Sequence, residues 1–259
     1  MLDEIRGDIK LKSYVSYVFA GCMIIITCLS VMIPELKSLY GVNGDIALNF
    51  KIRLTIPFQH GFNNTSAIIH LVVNLILFWF LGTFIEKIIG SYRFLVLTCI
   101  GYIIYILFHR LLLSELVQGF SPIIMTYAGF ILVVLNQSKY LKTKSAFEDY
   151  YRLLIGVELF IWFVFPFIMT FIPLYYDSNS GLIDAFILGN IYHVIGGIIG
   201  LLMGVFYKEH IKKKLLQQMK KKYIKHSVLD KYAYLIALVV PLYMIMLLLF
   251  KNYLINKLG

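Results

Sequence analysis

The sequence predicts an all-α polytopic membrane protein with seven transmembrane helices. Of its 259 residues, 60% are hydrophobic, and the mean hydropathy is +0.80. A soluble globular domain is more polar than this. Seven windows contain the roughly 20 apolar residues that a membrane-spanning helix needs. They lie at residues 14–34, 66–86, 93–113, 119–137, 153–175, 184–206 and 232–250.

The distribution of Lys and Arg predicts a cytosolic N-terminus and an outer C-terminus. In this orientation the cytosolic segments contain 18 of the 24 basic residues and the outer segments contain 6. Cytosolic loops of membrane proteins carry such an excess. The chain then divides into a cytosolic N-terminus (1–13), a six-span membrane domain (14–207), a basic cytosolic loop (208–231) and a seventh span with a short outer tail (232–259).

The basic loop supplies much of the net charge of +10, and its sequence begins 207-YKEHIKKKLLQQMKKKYIKH-226. Basic segments next to a spanning helix bind the anionic lipids of the cytosolic leaflet. We therefore predict anionic lipid as the partner of residues 208–231, and we expect no nucleic-acid partner.

Three cysteines, Cys22, Cys28 and Cys99, all fall inside predicted spans. Their spacing fits neither a disulfide framework nor a zinc site. We expect them to be buried thiols without a chemical role.

Polar side chains are scarce inside the predicted spans, and each one costs free energy there unless it is paired or hydrated. Those that stand out are His70, Asn74, Ser121, Glu158 and His193. Glu158 falls near the cytosolic end of its span, and we assign it no role.

Four of these side chains are predicted to converge. His70 and Asn74 are four residues apart, so they share one helix face near the outer end of the second span. Ser121 opens the fourth span, which also starts on the outer side. His193 lies about 15 Å below the outer start of the sixth span. All four can therefore reach one water-accessible pocket below the outer surface.

Such a set permits acyl transfer. A serine hydroxyl becomes nucleophilic when a base removes its proton, and His193 is the available base for Ser121. The Ser121 N–H, the Asn74 amide and an N–H of His70 could stabilise the oxyanion. Because no carboxylate is placed to orient His193, this would be a dyad.

Each feature also has a simpler structural interpretation. Ser121 precedes Pro122, and Ser followed by Pro is a favoured helix start, with the hydroxyl as N-cap. His193 could be a structural hydrogen-bonding residue. The glycines of 193-HVIGGIIGLLMG-204 share a face, which favours close helix packing with or without catalysis.

Taken together, these motifs resemble those of the rhomboid intramembrane serine proteases. The matching segments are 53-RLTIPFQH-60, 70-HLVVN-74, 82-GTFIEKIIG-90, the GFSP of residues 119–122 and 193-HVIGGIIG-200. They cover residues 53 to 207 in the family's order. GFSP stands where the family has G-x-S-G, so Pro122 replaces a glycine. Proline does not delete the expected oxyanion donor, which is the N–H of Ser121.

The resemblance implies a six-helix rhomboid-like core plus one C-terminal transmembrane helix, and no metal or cofactor. Ser121 would be the nucleophile and His193 the general base, while His70 and Asn74 would help to form the oxyanion hole. The motif glycines and one carboxylate would be structural, namely Gly82, Glu86, Gly90, Gly119, Gly196, Gly197 and Gly200. Residues 35–65 would form a membrane-embedded loop.

The resemblance also implies a substrate, a single-span membrane protein cut near its outer end, where Gly or Pro weakens the helix. The fifth span, 159-LFIWFVFPFIMTFIP-173, would border its lateral path to the site. The expected location is the plasma membrane of a bacterium. The alternative is an inactive relative that binds transmembrane helices of client proteins, and a transporter is the third possibility.

Overall fold

The computed structural model describes residues 13–32, 56–58, 60, 64–112, 119–141, 148–166 and 182–219. Within these ranges the chain forms α-helices and no strand. In chain order they are α1 (Tyr14–Met32), α2 (Asn64–Ile89), α3 (Ser91–Leu112), α4 (Ser121–Tyr140), α5 (Glu148–Leu159), α6 (Leu182–Phe206) and α7 (Lys208–Met219). A short 3₁₀ helix spans Ile56–Phe58, and a π-helical turn, Phe160–Val164, continues α5.

The described helices include the apolar segments expected of an integral membrane protein. By length and composition, α2, α3 and α4 can each cross a membrane, and α6 makes a fourth span if it is counted with α7, from which it is bent by 67°. Helices are described at six of the seven predicted spans. The seventh, at 232–250, lies outside the described residues, as do most of the N-terminal segment and of the 35–65 loop.

The segment predicted as a basic loop differs from expectation in its described part, because Lys208–Met219 is helical. Ile211 and Leu215 are both fully buried. They are four residues apart and share one helix face, so burying that face orders the chain although its other residues are largely charged.

Helix α4 is the centre of the fold, with 16 of its 20 residues buried. It packs against α2, α3, α6 and α7. A helix surrounded by other helices needs no polar face, and α4 is apolar on nearly all sides up to Leu135. Its first residue is therefore placed inside the protein.

Glu86 joins the starts of two helices to α2. Its carboxylate accepts hydrogen bonds from the N–H groups of Val15 (3.1 Å) and Ser16 (2.9 Å) at the start of α1. It also accepts from the hydroxyls of Ser16 (2.6 Å) and Ser91 (2.7 Å). The first N–H groups of a helix have no partner within it, so Glu86 serves as the cap of α1 from another helix.

We expect Glu86→Ala to be strongly destabilising. It leaves two buried N–H groups and two buried hydroxyls without their acceptor, at about 1–3 kcal/mol for each group left unsatisfied. Thermal unfolding of the purified protein in detergent should show a large fall in Tm, whereas Glu209→Ala, which changes an exposed residue of α7, should leave Tm nearly unchanged. Equal effects from the two variants would contradict this structural role for Glu86.

Two glycines of the segment 82-GTFIEKIIG-90 are explained by the local backbone and packing. Gly90 separates α2 from α3 with φ at 85°, a conformation that favours glycine. A side chain on Gly82 would press on the rings of Phe94 and Phe78, at 3.3 and 3.4 Å from its Cβ. Both positions therefore shape the packing around Glu86.

The expectation of three buried cysteines is confirmed for Cys22 only. All three thiols are free; Cys22 is buried, Cys99 is half-buried and Cys28 is exposed. Cys28 lies on the outward face of α1, where a membrane helix can present an apolar thiol to lipid.

Candidate active site

Ser121 is the first residue of α4, and the chain enters it through a turn that needs glycine. Gly119 has φ at 107°, which L residues rarely adopt. The N-cap of α4 is Phe120, and its side chain makes no capping hydrogen bond. The interpretation of Ser121 as the N-cap of this helix is therefore wrong. Its hydroxyl is left for another partner.

Phe120 fixes this turn because its fully buried ring contacts three other rings. The centroid distances are 6.1 Å to Phe19 of α1, 5.5 Å to Phe58 of the 3₁₀ helix and 5.4 Å to Phe78 of α2. Buried aromatic contacts of this kind hold a segment in one arrangement. Three separate elements thus set the position of Ser121.

The partner of the Ser121 hydroxyl is His193 on α6. The distance from Ser121 Oγ to His193 Nε2 is 2.8 Å. Ser121 is 5% exposed and His193 is 2% exposed. His193 lies eleven residues after Leu182, about 17 Å along α6. Because Ser121 opens α4 and yet meets His193, α4 begins well below the start of α6.

Glycines on α6 allow this approach. A Cβ atom on Gly196 would collide with the carbonyl oxygen of Pro122, and one on Gly200 would collide with the carbonyl oxygen of Thr126. The backbones of α4 and α6 therefore touch directly, as happens where small residues line a membrane helix interface. This contact brings the Ser121 and His193 side chains within reach of each other.

Gly129 and Trp162 complete the interface, and the sequence reasoning missed both. A Cβ on Gly129 of α4 would collide with the carbonyl oxygen of Gly197, while a Cβ on Gly197 would collide with the Trp162 ring. Gly197 is therefore wedged between α4 and the π turn after α5. Gly129 stands eight residues, or about two helical turns, after Ser121. This helical spacing was the sequence signal that could have identified it as an interface residue.

Asn74 and His70 share a face of α2, as their spacing predicts. The Asn74 side chain is buried and donates to the His70 carbonyl oxygen at 2.9 Å. Neither side chain is hydrogen-bonded to Ser121 among the described residues. Helix α2 contacts the turn before Ser121 one helical turn after Asn74, where the Phe78 ring packs against the Phe120 ring. The structure thus places Asn74 close to the serine turn without a direct bond to it.

His60 ties the described part of the long loop to this region. Its ring packs edge-on against that of His70, with centroids 5.1 Å apart. Its Nδ1 lies 3.0 Å from both the Thr27 hydroxyl and the Phe58 carbonyl oxygen. Burial is the main reason why the pKa of His60 falls to about 3. His60 is therefore neutral and helps to fix the loop against α1 and α2.

Pro122 is compatible with this arrangement. It stands in the first turn of α4, where the N–H that proline lacks would have had no helical partner. Its carbonyl oxygen accepts from the Thr126 hydroxyl at 3.3 Å. The Ser121 N–H also belongs to this first turn, and no described residue accepts a hydrogen bond from it. As far as the described residues go, that N–H is left for a ligand.

Glu158, to which the sequence assigned no role, is buried in α5. One carboxylate oxygen accepts from the Trp162 indole N–H at 2.8 Å. The other has no hydrogen-bond partner among the described residues. Glu158 therefore helps to orient Trp162 over Gly197.

The arrangement at Ser121 is suited to nucleophilic chemistry. A serine hydroxyl hydrogen-bonded to an imidazole can be deprotonated as it attacks, and an unused N–H at the same residue can receive a negative oxygen. Within the described part of the chain, no group of three His, Cys, Asp or Glu residues could hold a metal ion.

Comparison with known proteins agrees with the motifs. A family model described as the Rhomboid domain matches residues 55–210, which is more than half of the chain and contains Ser121 and His193. A comparison with curated proteins and one with solved structures return no significant match. Members of the matched family are in general serine intramembrane proteases. The chain belongs to the rhomboid family.

Proposed function

We propose that this protein is an intramembrane serine endopeptidase with Ser121 as nucleophile and His193 as general base. The observation that carries the proposal is the 2.8 Å contact between Ser121 Oγ and His193 Nε2 in a buried site. An inactive relative that only binds transmembrane helices is the alternative. Retention of both groups in hydrogen-bond contact favours the enzyme.

In the proposed reaction, Ser121 Oγ attacks the carbonyl carbon of the scissile peptide bond while His193 Nε2 takes the hydroxyl proton. The negative oxygen of the tetrahedral intermediate is stabilised by the Ser121 N–H, with Asn74 and His70 as further donors. His193 then gives its proton to the leaving amine, and the C–N bond breaks. Water, deprotonated by His193, hydrolyses the acyl-enzyme and frees Ser121.

Rhomboid family proteins act on transmembrane substrates, and we propose single-span proteins as substrates here. The start of α4 lies inside the protein, so a peptide bond must leave its own helix to reach Ser121. Gly or Pro near the outer end of a substrate helix would make this unwinding easier. The fifth helix, which packs beside His193, would border the lateral path. A bacterial plasma membrane with the N-terminus inside is the proposed setting.

The test uses the purified full chain in proteoliposomes with a single-span substrate tagged at both ends. The substrate carries Gly and Pro near the outer end of its helix. We expect two fragments whose sizes locate the cut at that end. Intact substrate that co-purifies with the protein would contradict the enzyme and support the binding alternative.

We also propose that anionic lipid binds the basic segment 208–231. The described part, α7, turns by 67° from α6, as a helix lying along the membrane surface would. The pKa of His210 is lowered to about 4, first by burial and then by the positive charges of Arg93 and Lys214. Several cations therefore converge at this end of the protein, where a lipid phosphate would be attracted.

Neutralising these cations should weaken the preference for anionic lipid. Each Lys near the membrane surface contributes about 1 kcal/mol, so the triple variant K212Q/K213Q/K214Q should lose most of the gain in Tm that phosphatidylglycerol gives over phosphatidylcholine. The control Lys139→Gln removes a single exposed cation at the end of α4 and should keep most of that gain. An unchanged gain in the triple variant would contradict the proposal.

A further inference from the structure

One face of α5 and its π turn packs against the protein interior beside α6. The residues on this face recur at helical spacing. Leu154, Glu158 and Ile161 are buried, while Trp162 and Phe165 are half-buried. The opposite side is exposed, with Phe163 at 71%. The π turn Phe160–Val164 adds a residue per turn to the helix just before Phe165.

Three contacts dock this face on α6. The Trp162 ring lies where a Cβ of Gly197 would be. The Asn190 amide donates to the Pro166 carbonyl oxygen at 3.2 Å. The Phe165 ring packs edge-on against that of His193, with centroids 5.0 Å apart and an interplanar angle of 88°. Trp162 and Pro166 stand on either side of Phe165 along the chain. Their contacts with α6 therefore fix the position of Phe165 from both sides.

A histidine ring needs more than one contact to hold its plane. The torsion about its Cβ–Cγ bond is broad, and the hydrogen bond to Ser121 fixes only the position of Nε2. Edge-to-face packing with a second ring restricts that torsion. Phe165 supplies this packing from a helix that contributes neither the nucleophile nor the base.

We propose that Phe165 is a positioning residue for His193, and that docking of α5 through Trp162 and Asn190 holds it in place. This inference rests on the proposed function, because it concerns the base of that reaction. It gives α5 a part in the chemical step as well as a place beside the substrate path. Moving α5 away from α6 would remove the ring that orients His193.

The test compares Phe165→Leu with Phe165→Tyr in proteoliposomes. Loss of the ring should lower both kcat for the tagged substrate and the rate of fluorophosphonate labelling by about three- to tenfold, the contribution of one aromatic pair, with KM unchanged. Phe165→Tyr keeps the ring and should stay within about twofold of wild type. Phe163→Leu, a change on the exposed side of the same turn, should label like wild type.

Two results would overturn the inference. One is that Phe165→Leu both cleaves and labels like wild type; the other is slower cleavage with unchanged labelling, which would make Phe165 a substrate contact. Thermal unfolding shows whether Phe165→Leu is folded. If it is not, Phe165→Met fills similar space without a ring and takes its place with the same expectations. Absence of labelling in the wild type would instead defeat the proposed function itself.

Discussion

Replacing either Ser121 or His193 with alanine is expected to lower the rate of fluorophosphonate labelling by at least about 10³-fold. Without Ser121 there is no oxygen to attack the probe, and without His193 nothing takes the hydroxyl proton. Because the two act as a unit, the double variant should label no more slowly than either single variant. Labelling is measured on the purified protein by fluorescence after electrophoresis.

A suitable control is Ser138→Ala, which removes another buried hydroxyl from α4, far from the start of that helix. It should label at nearly the wild-type rate. Ser121→Ala should also remain folded, because it leaves only one buried group, His193 Nε2, without this partner, at about 1–3 kcal/mol. Labelling of Ser121→Ala at the wild-type rate would rule out Ser121 as the nucleophile.

The second large effect is expected from Gly200→Ala. The new methyl group would collide with the backbone of α4 at the Thr126 carbonyl oxygen and the Phe130 N–H. Because backbone cannot move as a side-chain tip can, α4 and α6 must separate. Overpacking of this kind costs about 1–3 kcal/mol or more. Separation also breaks the Ser121–His193 contact, so labelling should fall about 10²-fold or more and Tm should fall with it.

Two other glycines provide a graded control. At Gly204 a methyl group would meet the Val133 side chain at 2.7 Å, which can adjust in part, so Gly204→Ala should have an intermediate effect. At Gly156 no atom lies within 4 Å, so Gly156→Ala should leave labelling and Tm close to wild type. Equal behaviour of all three variants would contradict close α4–α6 packing as the basis of the site.

Much of the fold could be predicted because the length of an apolar segment is a local property of the sequence. Six predicted spans overlap described helices within a few residues, apart from the second half of the fifth, which lies outside the described range. Helix α7 was predicted only as a loop. Its two buried residues, Ile211 and Leu215, could not be recognised from the local sequence, because their burial depends on the packing of α7 against α4 and α2.

For the candidate site, the sequence singled out Ser121 and His193, which the structure places in hydrogen-bond contact, but it did not give the geometry around them. Spacing put His70 and Asn74 on one face, and the glycines after His193 predicted a close approach. It could not predict that α4 begins deep beside α6, because depth was inferred from a common outer surface. It also missed Phe165 and Trp162, since an aromatic-rich span looks the same whether its rings face lipid or His193.

The most direct test of the central claim is the site of fluorophosphonate attachment, determined by mass spectrometry of the labelled, digested protein. We predict a single adduct on Ser121 that is absent from the His193→Ala variant. An adduct on another residue, or a protein that cuts its transmembrane substrate while Ser121 stays unlabelled, would contradict the Ser121–His193 dyad.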